Sequence, residues 1–407
     1  MDIEIDTATE QRLRAFFDGI GHVLGSSHRR DNFARYAQGL IGEGARKSME
    51  PIAVRDCADV GSADAAHQRI QQFITDSAWD DRAVRFAAAK YALAEMAKAA
   101  TPWAWIVDDT GFLKQGKHSV GVQRQYTGSA GKITNCQIGV SLSIATPQDH
   151  VGVDFELYLP KSWALDPARR AEGRIPDDVV FKTKPQLALD MIRRAVAAGL
   201  PKGTVLADEG YGTSSEFRDG CRLAGLDFAV TVSCSTRIWV VDALGRRRDE
   251  PVAARDLAGQ LAAADAFRAI TWREGSGEML RARFAFLRVV PAADDGHKPS
   301  KRERVWLVCE WRDGDAEPRH FHLVTYKRMS FVQIVHLIKE RWRTERLYQD
   351  LKDELGLDHF EGRRFRGWHH HVSVTLAAFA FLAAERARRF PPSAVGAEVH
   401  DALAVAA

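Results

Sequence analysis

Cysteine is sparse and scattered in this chain. Its 407 residues include five, Cys57, Cys136, Cys221, Cys234 and Cys309, and no two form a Cys-x-x-Cys pair. That spacing argues against a zinc ribbon or a disulfide framework. Long apolar runs are also missing, and none approaches the length of a membrane span. The opening stretch "MDIEIDTATEQRLRAFF" is acidic and lacks the basic start and apolar middle of a secretory signal. The expected location is therefore the cytoplasm, with no membrane partner. An excess of one charge is nearly absent overall, since 57 Lys or Arg face 54 Asp or Glu for a net value of +3. Its distribution is less even: Lys327 to Arg389 holds 13 Lys or Arg against 8 Asp or Glu. Such an excess suits a polyanion lying across that part of the molecule.

The apolar share of 45% and charged share of 27% are those of an ordinary globular protein. The length exceeds what one core usually holds. Residues 1–98 read as helices, with apolar residues at three- and four-residue spacing in "EQRLRAFFDGIGHVL" and "DDRAVRFAAAKYALAEMAKAA". The break "GSSHRRD" places Ser26, Ser27, His28, Arg29 and Arg30 in a solvated turn, with phosphate contact as the second reading. From residue 99 to 233 short β-branched and aromatic segments give way to helix, strand, helix, strand. Residues 234–326 read as an antiparallel β insertion. Helices return over 327–407, one of them long and continuous through "FVQIVHLIKERWRTERLYQDLKDELG". The tail after Pro391 shows no evident role.

Three acids stand out. "WAWIVDD" is a buried strand that ends in Asp108 and Asp109, and "GTVLADEG" is another that ends in Asp208 and Glu209. Sites in open α/β sheets form beyond the carboxyl ends of strands, where Asp108 and Asp208 become neighbours. Carboxylates that close repel unless a cation neutralises them. Oxygen-only ligands select Mg²⁺ or Mn²⁺, and a pair of such ions suits phosphate chemistry. The third acid, Glu345, lies mid-helix, and a regular helix puts Arg341, Tyr348 and Lys352 on its face. Arg grips a phosphate through two parallel hydrogen bonds, while Lys acts as a point charge.

With these residues in view, the chain resembles the bacterial insertion-sequence transposases that carry an Asp-Asp-Glu triad on a ribonuclease H-like fold. The likeness rests on "VDDTG", "LADEGYG" and "RWRTERLYQDLK", the last similar to the Tyr-Arg-Glu-Lys signature of one group with a β insertion domain. The resemblance implies a mixed α/β sheet with flanking helices, interrupted by the β insertion and preceded by a helical DNA-binding domain over 1–98. It implies Asp108, rather than Asp109, as the first catalytic and metal-binding acid, with Asp208 and Glu345 completing the set and Glu209 the weaker alternative to Asp208. It implies cleavage at the ends of an insertion element and transfer of the 3′-hydroxyl into target DNA, in a bacterial cytoplasm at the nucleoid. Terminal inverted repeats and target DNA would be the partners. Pairing two ends requires a homodimer in the synaptic complex.

One departure stands in the signature: its Tyr falls at Ile338, so Tyr348, one turn beyond Glu345, becomes the substitute. Trp342 is an aromatic available to an unpaired base. In "GRRFRGW", Arg363 and Arg364 are candidate backbone contacts, against a solvated loop. Arg124, Tyr126 and Lys132 are placed in a hairpin over nucleic acid on the same footing. Three consecutive histidines, His369 to His371, point about 100° apart on a helix and so cannot share one ion; a surface or DNA-facing helix start is expected. The competing function is a domesticated derivative that binds specific DNA without cutting it. A haloacid-dehalogenase-type phosphatase wants Asp-x-Asp, a spacing that "VDDTGF" lacks.

Overall fold

A computed structural model describes residues 6–55, 57, 59–241, 250–274, 277–292, 304–325 and 328–389. The turns "LGRRRDE" and "DDGHKPSKRER" fall mainly outside these residues, and the tail after Pro391 wholly so. Five helices open the chain: α1 (Thr7–Leu24), α2 (Ser27–Ile41), α3 (Met49–Arg55), α4 (Val60–Thr75) and α5 (Asp81–Ala99). Their starts are set by side-chain oxygens that accept backbone N–H groups: Asp6 before α1, Ser26 before α2 and Asp80 before α5. Ser26 is thereby a cap. Arg29 and Arg30 reach back to the carbonyls of Leu24 and Gly25.

Strands β1 (Ala104–Leu113), β2 (Gln123–Thr127), β3 (Lys132–Ala145) and β4 (His150–Tyr158) follow. Two short helices, α6 (Lys161–Ala164) and α7 (Pro167–Gly173), lead to α8 (Lys184–Ala197), β5 (Thr204–Ala207), α9 (Glu209–Gly212), α10 (Ser215–Leu223) and β6 (Phe228–Val232). β3 lies antiparallel to β1, whereas β5 and β6 run parallel to it. The central order is thus β4-β3-β1-β5-β6, a mixed sheet with helices on its faces.

The β-rich stretch adds β7 (Arg237–Val240), β8 (Val252–Ala253), α11 (Ala254–Ala263), β9 (Arg268–Arg273), β10 (Met279–Pro291), β11 (Val305–Arg312) and β12 (His320–Val324). Its pairings are antiparallel, as expected. It does not stand apart as a second sheet: β12 pairs with β6, Phe321 opposite Val232, so all twelve strands form one sheet.

The expected single long helix is instead broken twice. α12 (Phe331–Lys339) is followed by a turn at Glu340 and Arg341, then α13 (Trp342–Gln349), then a π-helical turn over Asp350–Glu354. The last helix, α14 (Phe365–Arg389), is buried along most of its length.

Successive β1 side chains alternate between faces. Trp105 and Val107 join the large core shared with α1, α2, α5 and α14, while Ala104 and Ile106 join a smaller core under α12. The N-terminal helices therefore share the main core rather than forming an isolated lobe. Phe16 meets Phe381 at 5.6 Å, and Arg12 pairs with Glu385 at 2.6 Å.

The three histidines correct the surface expectation, because all are buried. His369 faces Glu156 at 3.3 Å, His370 Nδ1 lies 2.9 Å from the Ile74 carbonyl, and His371 Nδ1 lies 2.9 Å from the Tyr36 hydroxyl. Burial pushes His370 and His371 down to about 4. Polar partners rather than solvent explain why the helix tolerates them.

A buried ionic knot joins α5 and α8 to β4. Arg85, fully buried, lies 3.0 Å from Asp154 and 2.6 Å from Asp81, and Arg194 reaches Asp154 at 2.8 Å and Glu156 at 2.7 Å. Removing one partner of such a pair leaves a buried charge uncompensated, at about 3–5 kcal/mol. Arg85→Met should lower stability by that order in urea unfolding at pH 7, while exposed Arg14→Met, from an i,i+4 surface pair, should change it by less than about 1 kcal/mol.

Candidate active site

The doubled acid does not end β1 as expected: the strand runs on to Leu113, paired with β3, and the two carboxylates divide between its faces. Asp109 is fully engaged: Lys184 Nζ donates to both of its oxygens at 3.1 and 3.0 Å, and the Tyr211 hydroxyl donates to Oδ2 at 2.9 Å. Asp108 turns the other way, toward α13. Its Oδ1 accepts the Asp109 N–H at 2.8 Å, and its Oδ2 accepts Arg341 Nη2 at 3.2 Å. Burial is the main influence on Asp108 and raises its pKa to about 6; Arg341 opposes the rise and the nearby charge of Asp208 adds to it.

Asp208 follows β5 and caps α9, its Oδ1 accepting the Gly210 N–H at 2.9 Å. Glu209 is exposed. Two glycines of the quoted motifs are explained by close approach. A Cβ on Gly111 would meet Thr127 Oγ1 at 2.0 Å, and one on Gly212 would meet the Thr231 carbonyl oxygen at 2.1 Å. The first seats the β2–β3 hairpin on β1, and the second seats the turn after Asp208 on β6.

The break and the π turn redistribute the residues expected on one helix face. Arg341 turns to Asp108. Tyr348 goes into the core, its hydroxyl 2.6 Å from Ser141 Oγ, and presents nothing to a phosphate. Burial raises that hydroxyl well above its ordinary range. Lys352 donates to Thr110 Oγ1 at 2.8 Å and the Gly111 carbonyl at 2.9 Å, which ties the π turn to β1. Glu345 is exposed. Among the described residues, no three Asp, Glu, His or Cys side chains are gathered closely enough to hold a metal ion. Asp108 and Asp208 come within electrostatic reach of each other, and Glu345 stays at the rim.

That rim belongs to a cleft of about 630 Å³ between the outer strands and α12–α13, lined by Arg341, Trp342, Glu345, Ile338, Lys339 and Trp272 among others. Ile338 is 5% exposed and packs in the core under α12, so no aromatic replaces the signature Tyr there. Trp342 is half-buried with the Arg343 guanidinium 4.9 Å from its ring centre. Behind it, buried Glu310 accepts Lys339 Nζ at 2.7 Å and Arg312 Nε at 2.8 Å. Sequence reading missed this cluster because it is drawn from β11 and α12 without any motif.

Other cations of the basic C-terminal stretch are spent inside the protein. Arg364 pairs with Asp76 at 2.6 Å, Arg346 with Asp350 at 2.9 Å and Arg388 with Glu95 at 3.0 Å. Arg363 remains exposed, as do Arg124, Tyr126 and Lys132 on the hairpin of β2 and β3. Sequence reading also passed over Lys184, which opens α8 outside any motif, and did not single out Tyr211 although it stands in "DEGYG". For Tyr211 the signal was available in its three-residue distance from Asp208.

No helix among the described residues is long and apolar enough to cross a membrane. A probable transposase for insertion sequence element IS701 from Microchaete diplosiphon is 28% identical over 178 residues, which cover 44% of this chain. The matched part spans 42% of that relative's length. Residues 16–279 match the family described as DDE superfamily endonuclease, a stretch that contains Asp108 and Asp208 and ends before Glu345. Because that match takes in well over half of the sequence, the chain belongs to the DDE superfamily endonuclease family.

Proposed function

We propose that this protein is a transposase that cuts DNA at the ends of a bacterial insertion element and joins the freed 3′-hydroxyl to target DNA. The observation that carries the reading is the approach of Asp108, Asp208 and Arg341 where the parallel pairing of β1 with β5 stops. The donor set suits a hard divalent cation, because both carboxylates offer only oxygen. The Arg341 guanidinium already stands as a positive charge at Asp108 Oδ2. Asp108 and Asp208 would hold Mg²⁺ or Mn²⁺, with Glu345 supplying the third carboxylate from the cleft rim. Two such ions, when bound, activate a water or a 3′-hydroxyl and stabilise the leaving oxygen.

The chain's own residues do the rest. Arg341 lies between Asp108 and the cleft that contains Glu345, where it can turn from carboxylate to scissile phosphate. Lys352 holds β1 through Thr110 and Gly111 rather than meeting DNA itself. Arg363, exposed beside α14, and Trp342, half-buried at the cleft, are the contacts assigned to flanking DNA. The helical segment 1–98 binds the terminal inverted repeats, and a homodimer pairs two ends.

Asp108→Ala, Asp208→Ala and Glu345→Ala should each abolish cleavage of DNA ends taken from the flanks of the gene, assayed with Mg²⁺ or Mn²⁺, while gel-shift binding persists. Cutting retained in any one removes that residue from the set. End binding by the unaltered protein without any cutting would instead mark a domesticated, DNA-binding derivative.

Arg341→Ala should reduce the slope of log affinity against log salt by about one. An unchanged slope would mean that Arg341 never meets a phosphate.

Asp108 also makes stability depend on pH. A carboxyl raised from 3.8 to about 6 binds its proton more tightly in the folded state. Its favourable contribution is full below pH 3.8 and is lost as pH rises through 6, a difference of about 3 kcal/mol. In metal-free protein, Asp108→Asn should therefore raise the unfolding midpoint at pH 8 and leave it unchanged near pH 3.5.

A further inference from the structure

The parallel ladder between β1 and β5 runs from Ala104–Thr204 to Val107–Ala207 and stops there. The next residue in each segment is the acid: Asp108, still within β1, and Asp208, just past β5. No ladder pairing therefore fixes the two strands against each other where the carboxylates stand. Another tie crosses just beyond that point. Tyr211, three residues after Asp208, sends its hydroxyl back to Asp109 Oδ2 at 2.9 Å.

Each end of this tie is anchored. Tyr211 is 1% exposed, its ring 6.0 Å from that of Phe217, and the Gly212 backbone beside it presses on β6. Asp109 is held from the other side by Lys184. That lysine opens α8, where Thr183 and Gln186 form a reciprocal capping box that fixes the helix start. Lys184 also neutralises Asp109, so of the doublet only Asp108, shared with Arg341, is offered to a cation.

We propose that Asp109, Tyr211 and Lys184 are positioning residues that set the separation of Asp108 and Asp208, and with it the affinity of that pair for a divalent ion. The proposal rests on the metal-site reading above and deepens it. None of the three touches the ion or the DNA; they act through the two strands. Outer partners that orient metal-binding side chains typically change metal affinity by about 10–100-fold when removed.

The test measures Mn²⁺ binding to the full chain without DNA, by the electron paramagnetic resonance signal of free Mn²⁺, alongside unfolding midpoints. Tyr211→Phe deletes one oxygen and keeps the ring. It should weaken Mn²⁺ binding by about 10–100-fold with end binding unaltered. Lys184→Met should do the same, and Lys184→Arg should restore most of the affinity. The double variant Asp109→Asn with Lys184→Met removes both charges, so it folds without an unpaired one, and should still bind Mn²⁺ weakly. If Asp108→Ala loses Mn²⁺ but folded Tyr211→Phe and the double variant bind it like the unaltered protein, the positioning role is overturned alone. If Asp108→Ala keeps Mn²⁺ binding, the metal site and the positioning role fall together.

Discussion

Two carboxylates brought within electrostatic reach where the pairing of two parallel strands stops, with burial around one of them, are costly unless positive charge is supplied. Asp108 lives under that constraint. Its surroundings raise its pKa, Asp208 adds to the rise, and Arg341 offsets only part of it. Such a pair of charges destabilises the folded protein, and anything positive that binds there relieves it. Much of the local architecture serves to keep the arrangement from collapsing. Lys352 pins β1 at Thr110, Lys184 and Tyr211 quench the second carboxylate, and the Tyr348 hydroxyl bonds Ser141, the β3 residue opposite Asp108.

Much of this was legible in the sequence. The strand "WAWIVDD" and the strand before Asp208 could be read from their apolar content, although the first runs on past its acids to Leu113. The antiparallel character of 234–326 was equally visible in its alternation. What could not be read was the join. Nothing in "RHFHLVTY" says that β12 will add to β6, because edge pairing depends on which strand lies free in three dimensions. The helix through Glu345 was misread for a related reason. Periodicity in "FVQIVHLIKERWRTERLYQDLK" describes a regular helix, whereas contacts made by Arg341, Tyr348 and Lys352 with β1 and β3 accompany two changes of pitch. The histidine run was assigned to a surface or DNA-facing helix start once its diverging rings ruled out a shared ion. The carbonyls of Ile74 and Leu357 and the side chains of Tyr36 and Glu156 offset that cost.

Charge shows the same division between pattern and placement. The C-terminal stretch carries an excess of cations, yet many of them meet acids from distant segments, such as Asp76, Glu95 and Asp149. A basic run in sequence is therefore no measure of the potential outside the molecule. The exposed face is better described by single residues, Arg363 and the hairpin cations Arg124 and Lys132, than by any net count.

The continuity of the twelve-stranded sheet has a mechanical meaning. β5, which leads to Asp208, is bonded through β6 and β12 to strands at the far edge. A load applied at β9 or β10, for instance by a bulky polymer resting there, is transmitted through rigid hydrogen-bonded ribbons rather than absorbed in a linker. Strain at the periphery would thus be felt as a change in the gap between the two acid-bearing strands.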